Sequence, residues 1–278
     1  MGKLGLIAGG GALPVSLIRR CQEIGRPVFV IRLEGFAEAE LSAFDGCELG
    51  LAQLGRGIAA LRAAGCQSVC FAGKVARPDL RRLRPDPRGL AALPGALIAA
   101  RRGDDGLLAY LLREFEKEGF AVEGAHEVMG ALTLKAGPLG RLGAEGHMAD
   151  VARALDAARA IGRLDIGQAA VACDGLILAL EAQEGTDAML ERVAGLPANI
   201  RGAPGHPRGV LAKACKPGQE ERIDLPAIGP VTVRKAAAAG LSGVAGEAGR
   251  LLVLDREAVI ALADDLGLFI IGVAPGPE

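Results

Sequence analysis

Short apolar runs that break at glycine and give way to helical periodicity recur from Leu4 to Ala72, and this alternation restricts the fold more than any other feature of the chain. Leu4–Ala8 is apolar apart from Gly5 and ends in Gly9, Gly10 and Gly11, after which Pro14 opens a helical pattern in Val15, Leu17, Ile18 and Cys21. Gly25 stops that helix, and Val28–Ile31 supplies the next apolar run. Ile58–Ala64 reads as a helix and Ser68–Ala72 as a strand. A strand apolar on both of its faces is buried on both, the situation of a parallel sheet covered by its crossover helices. The expectation is an α/β chain whose first part is a Rossmann-like layer.

A second α/β domain follows. Gly130–Gly146 is spaced by glycines and lacks periodicity, so 130–147 reads as a linker between domains at 1–129 and 148–278. From Met148 a helix places Val151, Leu155, Ala158 and Ile161 on one face. The expected strands beyond it are Ala169–Ala172, Leu176–Ala182, Val210–Ala214, Leu251–Val253 and Phe269–Val273. Short helices are expected at Asp187–Val193, capped by Thr186, and at Val233–Ala239, capped by Thr232. With 278 residues, half of them apolar, the chain has material for two cores.

A formal net charge of −1 gives no basic field for nucleic acid, and with 3% aromatic residues and no Trp there is no platform for base stacking. Arginine is dense locally, however. Arg77, Arg81, Arg82, Arg84, Arg88, Arg101 and Arg102 form a proline-interrupted basic segment that suits anionic lipid headgroups or phosphate, or serves simply as a solvated face. Six scattered cysteines without CxxC spacing indicate reduced thiols in a cytoplasmic chain. No signal peptide and no apolar stretch of about 18 residues is present, so membrane contact is expected to be peripheral.

Polar residues concentrate where strands end. Gly9 and Gly11 fit the first two glycines of a dinucleotide fingerprint, with Pro14 at the third, and Glu34 stands where a ribose hydroxyl would be bound. Such a loop brings backbone amides to a diphosphate, and it serves equally as a structural tight turn. Lys74, in Gly73-Lys74-Val75 after a strand, is a candidate anion contact. Asp165-Ile166-Gly167-Gln168 precedes one strand, Glu181–Asp187 follows another, and Leu211–Thr232 mixes Lys213, Lys216, Glu220, Glu221 and Asp224 with prolines and glycines. Carboxylates of this kind suit Mg²⁺, which takes a few carboxylates together with phosphate oxygens and water. His126, His147 and His206 have no zinc-ligand spacing, and no serine-hydrolase elbow is present.

Taken together, Ile7–Pro14, Ala72-Gly73-Lys74-Val75, Asp165–Gln168, Glu184-Gly185-Thr186-Asp187, Lys213 with Lys216-Pro217, and Asp224-Leu225-Pro226 with Ile228-Gly229-Pro230 resemble the LpxI family over essentially the whole chain. That resemblance implies a UDP-2,3-diacylglucosamine hydrolase of lipid A biosynthesis. Such an enzyme uses a divalent cation, generally Mg²⁺, gives 2,3-diacylglucosamine 1-phosphate (lipid X) and UMP, and holds its lipid substrate between two domains. The family usually has Gln-Asp where this chain has Gln219-Glu220, so the essential acid is placed at Asp224. The expected catalytic residues are Asp224, Lys213, Lys216 and Asp187, with Asp224 and Glu184 as metal ligands. The expected substrate contacts are Gly9, Gly10, Gly11, Ala12, Leu13, Lys74, Gln168, Gly185, Thr186 and Gln219. The resemblance also implies transient contact with the inner face of the inner membrane, and a chain of this size is expected to form a homodimer. An NAD(P)-binding oxidoreductase built on the glycine loop and a non-enzymatic lipid-binding protein are the alternatives.

Overall fold

The computed structural model describes residues 2–75, 83–101, 104–130, 133–203, 205–216 and 225–275. Gln219, Glu220 and Asp224, all expected near the site, lie outside the described residues. The chain divides after Gly130 into two compact units.

The first unit runs β1 (Leu4–Ala8), α1 (Ala12–Glu23), β2 (Val28–Leu33), β3 (Gly46–Leu49), α2 (Leu54–Ala63), β4 (Ser68–Ala72), α3 (Pro87–Ala100), α4 (Asp104–Lys117), β5 (Ala121–Val122) and α5 (Ala125–Met129). Its sheet has the order β3-β2-β1-β4-β5 and is parallel throughout. Leu4 aligns with both Val28 and Ser68, so the apolar runs lie side by side in the centre. The strand order reverses between β1 and β4, and their carboxyl ends therefore flank the crevice where open α/β sheets bind ligands. Ile7, Ile31, Ile58, Leu61, Val69, Phe115 and Phe120 form one core. The edge strand β3, Gly-Cys-Glu-Leu, carries too little apolar signal to be legible in the sequence.

The second unit contains β6 (Gly137–Leu139), α6 (Met148–Arg163), β7 (Ala169–Cys173), β8 (Leu176–Leu180), α7 (Gly185–Ala194), β9 (Val210–Lys213), β10 (Ala227–Ile228), α8 (Pro230–Ala238), β11 (Gly243–Glu247), β12 (Leu252–Val253), α9 (Arg256–Leu266) and β13 (Phe269–Val273). Its six-stranded sheet has the order β6-β13-β11-β9-β7-β8. β9, β11 and β13 are parallel, whereas β6 runs antiparallel to β13 and β7 antiparallel to both β8 and β9. Period-two alternation divides the side chains between two cores. Val171, Leu211, Val244 and Ile270 pack with residues of α7, α8 and α9, while Ala170, Ala172, Val210 and Ala212 pack with Val151, Leu155 and Ala158 of α6.

Local details differ from the sequence reading. Part of the 130–147 stretch is β6, whose Leu139 pairs with Ile270; a three-residue edge strand has no periodicity to read. Thr186 does not cap α7 but lies in its first turn, because the helix starts at Gly185, two residues earlier than Asp187, and Glu184 takes the cap position. Thr232 is likewise inside α8, whose cap is Gly229.

Candidate functional site

In the second unit, antiparallel pairing of β7 with β9 brings the start of one strand beside the end of the other. Lys213, the last residue of β9, lies between Ala169 and Gly246 in the ladder, two neighbours small enough to leave room for its side chain. It is only 5% exposed. Its ammonium donates to Thr186 Oγ1 at 3.0 Å and to the Ala227 carbonyl at 3.1 Å. Thr186 donates in turn to Glu181 Oε1 at 2.6 Å. A hydroxyl has one proton, so donation to the carboxylate leaves a lone pair of Thr186 facing Lys213, and the direction of both bonds is fixed.

Glu181 is 6% exposed, and its second oxygen accepts the Gln168 backbone N–H at 3.0 Å. This contact requires Gly167, since a Cβ there would come within 2.3 Å of the Glu181 carbonyl oxygen. The side-chain oxygen of Gln168 is buried and finds no hydrogen-bond partner among the described residues. An unmet buried acceptor costs about 1–3 kcal/mol. A position held at that expense is suited to a ligand donor.

Beyond β9, Lys216 Nζ pairs with Asp165 Oδ1 at 2.7 Å. Glu247, buried at the end of β11, accepts from Arg159 Nε at 2.9 Å and from the Cys215 backbone N–H at 3.3 Å, fixing the chain between the two lysines. Glu184 is engaged by Arg192. Hydrogen bonding from its own backbone, and then from that guanidinium, holds its carboxyl below the usual range. Asp187 lies 3.7 Å from Lys235 Nζ on α8. Gly185, with a φ of 80°, begins α7. Among the described residues, no three carboxylate, imidazole or thiol groups converge as a metal site.

The first unit brings four of its expected residues together. Gly10 and Lys74 exchange backbone hydrogen bonds of 2.9 and 2.8 Å across the β1–β4 crevice, and Gly9 N–H donates to the Ala72 carbonyl at 2.8 Å. Gly73 has a φ of 97°, and a Cβ there would lie 2.8 Å from Gly10 O, so both conformation and space call for glycine. Gly11 N–H, at the start of α1, donates to Glu38 Oε1 at 2.9 Å. The amides of Ala12 and Leu13 are first-turn groups with no intrahelical acceptor. With Gly9, Gly10 and Gly11 all engaged within the protein, the loop does not favour the dinucleotide alternative.

From the sequence Glu181 is read only as the first residue of the polar run Glu181–Asp187, without a role of its own, and Glu247 is not singled out. The available signal was a carboxylate closing an otherwise apolar strand, present in Leu176–Glu181 and in Gly243–Glu247. Glu38, in a loop without periodicity, gave no such signal.

Comparison with known proteins matches residues 3–132 to the LpxI N-terminal domain and residues 135–271 to the LpxI C-terminal domain. A curated relative from Caulobacter vibrioides, UDP-2,3-diacylglucosamine pyrophosphatase LpxI, is 62% identical over 276 residues, 99% of each chain. Among solved structures, the biotin carboxylase domain of a thermophilic 2-oxoglutarate carboxylase shows 15% identity over 72% of this chain and 42% of its own, with a TM-score of 0.26. The biotin carboxylase subunit of pyruvate carboxylase shows 17% identity over the same shares, with a TM-score of 0.25. Likeness this low carries no argument.

Proposed function

The chain belongs to the LpxI family, and from that premise we propose that it hydrolyses the pyrophosphate bond of UDP-2,3-diacylglucosamine to 2,3-diacylglucosamine 1-phosphate and UMP. The observation that carries this reading to particular atoms is the buried Lys213, aimed by Thr186 and Glu181. A passive lipid carrier has no use for such a group. A pyrophosphate transition state does, because negative charge builds on the leaving phosphate, and a fixed cation in a site shielded from water stabilises it strongly.

In this reading Lys213 and Lys216 clamp the phosphates, and the first turn of α7, with Gly185 and Thr186, orients phosphate oxygens. Gln168 Oε1 accepts a donor from the substrate. The Asp224 carboxylate orients the attacking water, and Asp187 and Gln219 support it. In the first unit, the exposed Lys74 side chain and the amides of Ala12 and Leu13 at the start of α1 are the proposed anion contacts, with Gly9 and Gly10 shaping the loop beneath them and Gly11 N–H becoming available where substrate displaces Glu38.

We propose Mg²⁺ or another divalent cation as the counter-ion of the pyrophosphate. Such a cation keeps several waters and shares substrate oxygens, so one or two protein carboxylates suffice. Asp224 and Glu184 are the proposed carboxylates. Glu184 is already engaged by Arg192, which gives Asp224 the larger share. The proposed setting is the cytoplasm, in keeping with the six free thiols, with the diacyl substrate drawn from a membrane surface and the enzyme acting as a homodimer. No helix among the described residues is long and apolar enough to cross a membrane.

The test is incubation with UDP-2,3-diacylglucosamine, with and without Mg²⁺ and chelator, following UMP. Asp224→Ala is expected to abolish release while the thermal midpoint is retained. Near-normal release by that variant would remove Asp224 from its role, and absence of UMP with the unmodified chain would remove the function.

A further inference from the structure

Helix α3 is built with its polarity reversed. Its exposed positions are Pro87, Leu90, Ala91, Pro94, Leu97 and Ile98, continued by Arg101 just past its end, a spacing of three and four residues that makes one continuous stripe. Leu90 is 61% exposed, Leu97 46% and Ile98 63%. The side turned to the protein carries Gly89, Ala92, Gly95 and Ala96 around the half-buried Leu93. A Cβ on Gly89 would lie 1.8 Å from the Ala52 carbonyl oxygen, and one on Gly95 would lie 2.6 Å from the Tyr110 hydroxyl, which itself donates to the Ala92 carbonyl at 3.2 Å. Small side chains thus seat the helix closely on α4 and on the loop before α2, and three of its four leucine and isoleucine side chains face solvent.

The helix is held firmly in this orientation. Asp86 caps it by accepting Gly89 N–H at 2.7 Å and also accepts Arg56 N–H at 2.8 Å. Arg88 ties it to Glu114 of α4 and to Glu118 just past the end of α4. A well-anchored helix with an uncovered apolar stripe is a contact surface rather than a frayed segment.

Charge identifies what covers it. No carboxylate lies on the stripe. Arg84 before the helix and Arg101 at its end are both exposed. The ion-paired arginines of this unit are Arg19, Arg20, Arg26, Arg62 and Arg88, and Arg84 and Arg101 are among those without a carboxylate partner among the described residues. A second copy seated here would set arginines against arginines in either orientation, whereas an anionic bilayer meets both the charge and the apolar stripe. We propose that the outer face of α3, bracketed by Arg84 and Arg101, is a docking surface for anionic lipid bilayers. The inference goes beyond the hydrolase reading and does not depend on it, since docking requires no turnover.

The test is flotation of the full chain with phosphatidylcholine vesicles, with and without phosphatidylglycerol, at low and high salt. Binding is expected on the anionic vesicles and is expected to weaken with salt. Each arginine contributes roughly fivefold at an anionic surface, so Arg84→Gln with Arg101→Gln is expected to lower partition roughly 25-fold. Leu90→Ser, Leu97→Ser and Ile98→Ser together are expected to lower it by roughly tenfold or more. Thermal midpoints near that of the parent chain show that the variants are folded; if the serine variant melts early, the arginine pair decides alone. No flotation on anionic vesicles, or equal flotation of the folded variants, overturns the proposal. So does a wild-type dimer that the serine variant dissociates while vesicle binding is unchanged. UMP release measured on detergent-dispersed substrate is expected to be unaffected by either variant, which keeps failure of docking distinct from failure of the hydrolase reading.

Discussion

Thr186→Val isolates the polar relay in the second unit, because valine matches threonine in shape and removes only the hydroxyl. In the parent chain that oxygen donates to Glu181 at 2.6 Å and accepts from Lys213 at 3.0 Å, so the substitution deletes two charge-assisted bonds at once. Lys213 retains the Ala227 carbonyl at 3.1 Å, and Glu181 retains the Gln168 N–H at 3.0 Å. Hydrogen bonds to charged groups contribute about 1.5–3 kcal/mol each. Thr186 is half-buried and water can replace part of what is lost, so the expected loss of stability is about 2 kcal/mol. That corresponds to a fall of about 4–8 °C in the melting midpoint. The effect on catalysis is expected to be larger, because a mis-aimed cation at the leaving phosphate acts like the loss of one transition-state donor, about 100- to 1000-fold in kcat. Thr186→Ser restores the hydroxyl and is expected to recover most of the activity. The assays are a thermal melt by circular dichroism and UMP release over a range of substrate concentrations. A Thr186→Val chain with wild-type kcat would refute the relay, as would a serine variant no better than valine.

Two further substitutions probe the first unit. Glu38→Gln removes the charge that occupies the Gly11 amide at the start of α1. If substrate phosphate uses that helix terminus, KM is expected to fall roughly two- to fivefold with kcat unchanged, and an unaltered KM counts against the proposed role of Gly11, Ala12 and Leu13. Glu123 is gripped by the buried Arg26 through bonds of 2.8 and 2.6 Å. The Arg26 hydrogen bonds, opposed by burial, hold its carboxyl below the usual range. A depressed folded-state value means that the pair's contribution is complete above the unfolded carboxylate value, about 4.3, and is lost as pH falls through the folded value. Denaturant titrations are therefore expected to show stability dropping with acidification below about pH 4.3. Glu123→Gln is expected to flatten that slope and to destabilise the chain at neutral pH by about 2 kcal/mol; an unchanged slope would show that other groups govern acid unfolding.

The sequence by itself determined the elements with strong patterns. Leu4–Ala8 and Ser68–Ala72 are strands because runs apolar on both faces are stable only between two covering layers, and α6 follows from Val151, Leu155, Ala158 and Ile161 recurring on one helical face. The strand ends that carry Gln168, Thr186 and Lys213 were legible for the same reason, since polar residues interrupting apolar runs mark where strands stop. Tertiary structure alone decided how those ends meet. Whether the start of β7, at Ala169, lies beside Lys213 depends on β7 running antiparallel to β9, and pairing direction is set by packing over many residues rather than by local pattern. Short edge strands such as β3 and β6 carry two or three informative positions, too few to outweigh turn-forming glycines. The reversed polarity of α3 was hidden for a related reason. Its composition is apolar on every side except at Arg88, so periodicity could not say which face is buried, and only the seating of Gly89 and Gly95 against their neighbours turns Leu90, Leu97 and Ile98 outward.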